Sequence, residues 1–292
     1  MSNWDALKIR KEWPLILSTE EKNHICDKLP RSKDNRIYAD AVFEGGGVKG
    51  IAFLGALRCC SDIGIYWKKL AGTSAGAITA ALLAADFTIE DLEKKIGQLN
   101  FMDFLKEKSS PFIFNGDPSD DLDNPLGMIL NLQVTGTTGE YSTEPFKKWL
   151  QETLVSNQFK TFNDIKDKQR ELKIIISDIS RKQMLVLPDD LIPKNSHQEL
   201  ELQNQLLPKI DLEDNKQFEV SEAVRLSMSI PFFFEPGHLE EDVIVDGGVL
   251  SNFPLWIYDV TPEKRPEWPT FGFRLINEQV QQPSPNSNNR KK

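Results

Sequence analysis

Leu70-Ala71-Gly72-Thr73-Ser74-Ala75-Gly76-Ala77 decides how this chain is read. A strand-like run, Ile65 to Leu70, enters it, and a small-residue helix, Ala75 to Ala85, leaves it. Gly-x-Ser-x-Gly on a strand-to-helix turn puts the serine on a sharp bend with its hydroxyl presented outward. The flanking glycines are needed because backbone comes close there and the bend takes unusual dihedral angles. The helix that opens at Ala75 aims its positive end at the site, which favours a developing oxyanion. Taken alone, the pattern also suits a glycine-rich turn with a capping serine.

Upstream, a strand-like run Ile37 to Phe43 leads into Gly45-Gly46-Gly47-Val48-Lys49-Gly50 and then an apolar helix, Ile51 to Ile63. Strand–turn–helix thus occurs twice in succession, the rhythm of an α/β fold with a mostly parallel sheet. Successive amides at the Gly45–Gly50 turn can form an anion-binding nest. The same residues fit a dinucleotide fingerprint, but that fold wants an acidic residue at the end of the second strand. Here that corner holds the serine bend, and no Gly-Lys-Ser/Thr ending supports a nucleotide phosphate loop. A plain tight turn is the other alternative, and three consecutive glycines exceed what it needs. Lys49 reads as a surface charge or a support for the loop.

Downstream, Thr88 caps an expected helix, Ile89 to Leu99. Phe101 to Tyr141 is aperiodic, aromatic and locally acidic, and its length suits a functional cover. Ser142 to Thr153 reads as a helix with Pro145 in its first turn. Leu172 to Ser177 reads as a buried strand with Lys182 to Leu187 as its hairpin partner, and Leu191 to Asn215 as a polar excursion. Val220 to Ser229 reads as a helix, Val243 to Val245 as a short strand running into Asp246-Gly247-Gly248, and Thr270 to Ile276 as the last strand. The expected organisation is an N-terminal extension (1–36) with a helix-like stretch from Trp13 to Lys28, one globular domain (37–278) and a disordered tail (279–292).

Hydrophobic residues make up 39% and charged residues 27%, the balance of a globular protein. The net charge of -9 argues against nucleic acid or an anionic membrane as partner, but not against hydrophobic contact with lipid. No apolar run is long enough to span a membrane, and the N-terminus has no secretory pattern. Cys26, Cys59 and Cys60 give neither a disulfide framework nor metal-ligand spacing. They read as reduced thiols of a cytoplasmic protein, with no metal or cofactor expected.

A serine nucleophile needs a basic or orienting partner. His24 lies before the first strand, His197 in the polar excursion, and His238 just before the Asp246 strand, so His238 is the one triad candidate among them. Asp246-Gly247 alone would read as a hairpin turn. Read with Ser74, Asp246 becomes the expected partner, with His238 kept as the alternative.

The three glycine-containing motifs, in this order, resemble the patatin-like phospholipase family. Gly45 to Gly50 match its glycine-rich run, Gly72 to Gly76 its nucleophile elbow, and Asp246 to Gly248 its Asp-Gly-Ala/Gly motif. Arg225-Leu226-Ser227-Met228-Ser229-Ile230-Pro231-Phe232-Phe233-Phe234 is similar to the helix and turn before the family's aspartate strand, and the resemblance runs from Ala39 to Ile276. It implies a three-layer α/β/α fold and a metal-independent lipid acyl hydrolase acting on glycerophospholipids or acylglycerols at a membrane or micelle surface. It implies a Ser74–Asp246 dyad without histidine, an oxyanion hole from Gly45, Gly46, Gly47 and Val48, and an acyl-enzyme intermediate. Thr73 and Ala75 complete the elbow, with Lys49, Gly50, Gly247 and Gly248 as motif support. Phe101 to Phe114, Leu126 to Leu132 and Ile230 to Phe234 are candidates for an acyl groove or for ordinary core, and Phe101 to Tyr141 for a lid. The chain stops at Lys292, soon after Asp246, which fits a compact member or a catalytic domain cut from a longer protein. A catalytically silent binding module is the competing reading.

Overall fold

The computed structural model describes residues 17–97, 99, 104, 139, 141–165, 170–193 and 207–276. The lid region is therefore almost wholly outside the described residues, as are His197, most of the polar excursion and the tail.

Among the described residues, strands alternate with helices as the sequence rhythm predicts. They are β1 (Ile37–Phe43), β2 (Ile65–Thr73), β3 (Glu171–Asp178), β4 (Gln183–Leu187), β5 (Ile192–Pro193), β6 (Lys209–Ile210), β7 (Gly237–Leu239), β8 (Asp242–Asp246) and β9 (Thr270–Phe273). The helices are α1 (Thr19–Lys28), α2 (Phe53–Ile63), α3 (Ala75–Ala84), α4 (Ile89–Gly97), α5 (Glu144–Val155), α6 (Val220–Ser227) and the single turn α7 (Gly248–Ser251). The expected apolar helix from Ile51 instead opens as a 3-10 turn, Gly47–Ala52, before α2. The glycines tighten its start. Thr88 caps α4 as expected, its hydroxyl accepting the Asp91 N–H at 3.2 Å, but the helix stops at Gly97.

Seven strands form one sheet in the order β7-β8-β3-β2-β1-β9, with β4 also on β3. The block β9-β1-β2-β3 is parallel, and β4, β8 and β7 add to it antiparallel. Strand side chains alternate between the two faces. Ala41 and Phe43 of β1, and Leu172, Ile174 and Ile176 of β3, join the main core with α2 to α6. Val42 and Ala71 face the other way and are covered by Phe253, Ile257 and Tyr258. The architecture is a three-layer α/β/α fold. α3 is buried along its whole length, which its Ala- and Gly-rich sequence permits at close range behind β1 and β2.

Candidate active site

The edge of β3 brings the site together. β4 pairs with β3 from Ile174 to Asp178, so it fills one edge there. β2, which reaches Ile175, and β8, which pairs with Ile176 to Asp178, must share the other. Thr73 sits opposite Ile175 and Asp246 opposite Ile176. β2 is parallel and β8 antiparallel to β3, so the two strands meet C-terminus to C-terminus. The next residue of β2 is Ser74, and the last residue of β8 is Asp246. The topology alone places the two side by side, 172 positions apart in the chain only in number.

Ser74 leaves the strand at φ 53, ψ -124, a conformation that costs a non-glycine residue about 1–3 kcal/mol. Its neighbours enforce it. A Cβ on Gly72 would stand 2.6 Å from Ala77 N, and one on Gly76 would stand 2.8 Å from Glu44 O. The elbow is therefore a place where two turns of backbone touch. Its N–H donates to Ser227 Oγ at 2.9 Å, and the Thr73 hydroxyl donates to Ser251 O at 2.9 Å.

Asp246 is buried, at 6% exposure. Its Oδ1 accepts the Gly248 N–H at 2.6 Å. Its Oδ2 is buried without a hydrogen-bond partner. Burial pushes the carboxyl up to about 6, against the opposing pulls of the Ser74 hydroxyl and the Gly248 amide. Ser74 thus lies near enough to favour the carboxylate while Oδ2 makes no formed bond. The Asp246-Gly247 turn is not a hairpin. Gly248 opens α7, and Gly247 lets the chain pass over β3, where a Cβ would lie 2.7 Å from Ile175 C.

The glycine-rich turn lies against Ser74: a Cβ on Gly45 would be 3.2 Å from the Ser74 Cβ. The Gly45 N–H itself donates to Asn252 O at 2.9 Å, so this member of the expected oxyanion set contributes close approach rather than a donor. In the 3-10 turn the first internal bond is Lys49 N–H to Gly46 O at 3.2 Å. The amides of Gly47 and Val48 precede it, where a helix start leaves its donors without internal acceptors. Gly47, at φ +54, uses the left-handed region that suits glycine. Lys49 is half-buried, and Gly50 packs so that a Cβ would lie 3.0 Å from Ala75 Cβ.

His238 is exposed on β7, paired with Val243, and His24 is exposed on α1. Burial pushes the Cys60 thiol up to about 11, with Cys59 adding to the rise, which suits a core group and not a nucleophile. Among the described residues no cluster of three His, Cys, Asp or Glu side chains is arranged to hold a metal ion, and no helix is long and apolar enough to cross a membrane. Of the acyl-groove candidates, only Ile230 to Phe234 and Phe104 are described. Phe232 is exposed at φ 69, Phe233 packs at a tilt against Tyr141, and Phe104 packs on Phe146 and Trp149. Ser227, Ser251 and Asn252 were not singled out as site residues from the sequence. Their neighbours in the chain carry the motifs, but no local pattern announces bonds to residues so distant.

The sequence model described as patatin-like phospholipase matches residues 41–258, from β1 through the segment after the aspartate. The chain belongs to the patatin-like phospholipase family. It is 34% identical over 257 residues to the uncharacterized protein YqhO of Bacillus subtilis (strain 168), covering 87% of this chain and 76% of that one. It is 24% identical over 213 residues to the uncharacterized NTE family protein MT2641 of Mycobacterium tuberculosis (strain CDC 1551 / Oshkosh), covering 73% of this chain. It spans only 27% of that relative's length. VipD from Legionella pneumophila aligns in three dimensions with a TM-score of 0.45 and 16% identity, over 77% of this chain and 50% of that one. The family is one of lipid hydrolases, and Ser74, Asp246 and the glycine-rich turn all lie inside the matched span.

Proposed function

We propose that this chain is a lipid acyl hydrolase that cleaves glycerophospholipid or acylglycerol esters through Ser74 and Asp246. The observation that carries the reading is the meeting of β2 and β8 on one edge of β3, with a buried, unpartnered Asp246 Oδ2 beside a strained Ser74. Asp246 takes the Ser74 hydroxyl proton as Oγ bonds to the ester carbonyl carbon. The Gly46, Gly47 and Val48 amides receive the oxyanion. The tetrahedral intermediate collapses, the ester C–O bond breaks, and Asp246 returns the proton to the departing alcohol. Water, deprotonated by Asp246, then releases the fatty acid and restores Ser74. The catalytic unit is residues 37–278, flanked by 1–36 and 279–292. A net charge of -9 favours a neutral or zwitterionic lipid surface as the place of action, with the protein peripheral to it.

A serine-directed fluorophosphonate is expected to label Ser74, and Ser74→Ala to lose both label and ester hydrolysis. His238→Ala is expected to keep most activity. Unlabelled wild type, or equal labelling of Ser74→Ala, would leave only a silent binding module. Loss in His238→Ala as deep as in Ser74→Ala would replace the dyad by a triad.

The pH dependence follows from Asp246. The base acts as carboxylate, so kcat/KM should fall as pH drops through about 6 and be flat above it. A soluble fluorogenic ester assayed across the acid range reads this directly. An inflection near 4, about where an exposed carboxyl titrates, would contradict a desolvated base.

A further inference from the structure

The last turn of α6 touches both halves of the site, and one of its side chains has no place in the chemistry above. Ser227 is fully buried, at 0% exposure. Its hydroxyl donates to Ile175 O at 2.6 Å and accepts the Ser74 N–H at 2.9 Å. The donated proton commits the hydroxyl's direction and turns its lone pairs toward Ser74. The relay stands where β2 leaves the sheet, between the first amide beyond the strand and a carbonyl of the neighbouring strand. Its carbonyl meanwhile accepts the Gly247 N–H at 3.4 Å, and that of Ser229, two residues on, accepts the Asp246 N–H at 2.8 Å.

We infer that Ser227 is a positioning residue, a clip that fixes the strained Ser74 backbone relative to Asp246. The inference rests on the hydrolase reading above. A residue at φ 53, ψ -124 persists only where its surroundings over-determine it. Ser227 supplies the polar part of that determination, and the glycine contacts supply the steric part. The clip has a fixed base. Arg225 Nη1 donates to Thr143 Oγ1 at 3.2 Å and Lys147 pairs with Glu222 at 2.8 Å, which locks α6 to α5. Val220, Ala223, Val224 and Leu226 anchor the same helix in the core. Losing the hydroxyl leaves the Ser74 N–H without its acceptor and lets the elbow settle toward an ordinary conformation, moving Oγ away from Oδ2.

The test compares Ser227→Ala with Ser221→Ala and Ser227→Thr. Ser221 is a second buried serine on α6, at 1% exposure, but its Oγ has no hydrogen-bond partner. It therefore controls for damage to the helix. The readouts are kcat and KM on a soluble fluorogenic ester and the rate of fluorophosphonate inactivation, each normalised to sites titrated at completion. Ser227→Ala is expected to lose about 10- to 100-fold in kcat and in inactivation rate, with KM little changed and Ser74 still the labelled residue. Ser221→Ala should stay within about twofold of wild type, and Ser227→Thr, which keeps the hydroxyl, should recover most of the loss. Wild-type kcat per titrated site in Ser227→Ala overturns the inference. So does an equal loss in Ser221→Ala, or a Ser227→Thr enzyme as slow as Ser227→Ala. A wild-type protein that is neither labelled nor active removes the hydrolase reading itself, and the clip with it.

Discussion

Asp246→Asn is expected to lose about 10³- to 10⁴-fold in ester hydrolysis and, at neutral pH, to unfold at a higher temperature than wild type. Both effects come from one buried carboxylate. Asparagine keeps an oxygen for the Gly248 N–H and offers an amide toward Ser74, so the shape of the site survives. What disappears is the proposed proton acceptor. What also disappears is a charge held in a place that disfavours it.

The stability gain has a definite pH window. Burial raises the Asp246 carboxyl from its ordinary 3.8 to about 6, so between those values the folded protein holds a proton that the unfolded chain has released. Where the native state binds more protons, stability falls as pH rises. At pH below about 4 both states are protonated and the residue contributes no penalty. Above about 6 the full penalty applies, on the order of 3 kcal/mol for a shift of this size. Urea midpoints of wild type and Asp246→Asn should therefore nearly coincide at pH 4 and diverge toward pH 7.5, with the variant more stable. A constant gap across that range would mean that the charge is not the source. A less stable variant at pH 7.5 would mean that the carboxylate is held by partners rather than by isolation.

The pattern around Ser74 was legible because its causes are local. A strand, a bend that needs glycines and a small-residue helix are all written between Ile65 and Ala85. The parallel block was legible for the same reason, since each βα unit closes on itself. Asp246 was not readable in that way. Asp-Gly carries a hairpin preference, and only the antiparallel entry of β8 onto β3 brings it beside Ser74. That direction is set by the short β7–β8 hairpin, Gly237 to Asp246, in a stretch where periodicity is too brief to read. The Gly45–Gly50 turn was legible as a tight glycine turn but not in detail. Gly45 differs from Gly47 because Asn252 takes its amide, a contact that joins residues 207 apart. Ser227 lies within Arg225 to Phe234, yet the sequence carries no sign of its bond to Ser74. A serine near a helix end has local uses enough to hide a long-range one.

Gly72→Ala is expected to be severely damaging, destabilising by more than about 4 kcal/mol and preventing soluble expression or leaving a broad, early unfolding transition. The argument is steric and does not depend on dihedral preference. A Cβ at Gly72 would be driven into the Gly76 carbonyl group and would stand 2.6 Å from Ala77 N. Those atoms are backbone of α3, which is buried from end to end and packs on β1, β2 and β3. No flexible side chain can swing aside, so the helix must shift as a body or the strand must unpair. Gly47→Ala supplies the contrast. Nothing lies within 4 Å of a Cβ there, and the only obstacle is φ +54, worth about 1–2 kcal/mol for an L-residue. That variant should fold, and its loss should appear in turnover, because the amides of the proposed oxyanion turn move. Urea unfolding of the two proteins side by side separates the causes. Equal stability losses would mean that the close approach of β2 and α3 is looser than these contacts require. The expected ordering instead ties the elbow to the core: the residue that lets the helix touch the strand also sets where Ser74 stands.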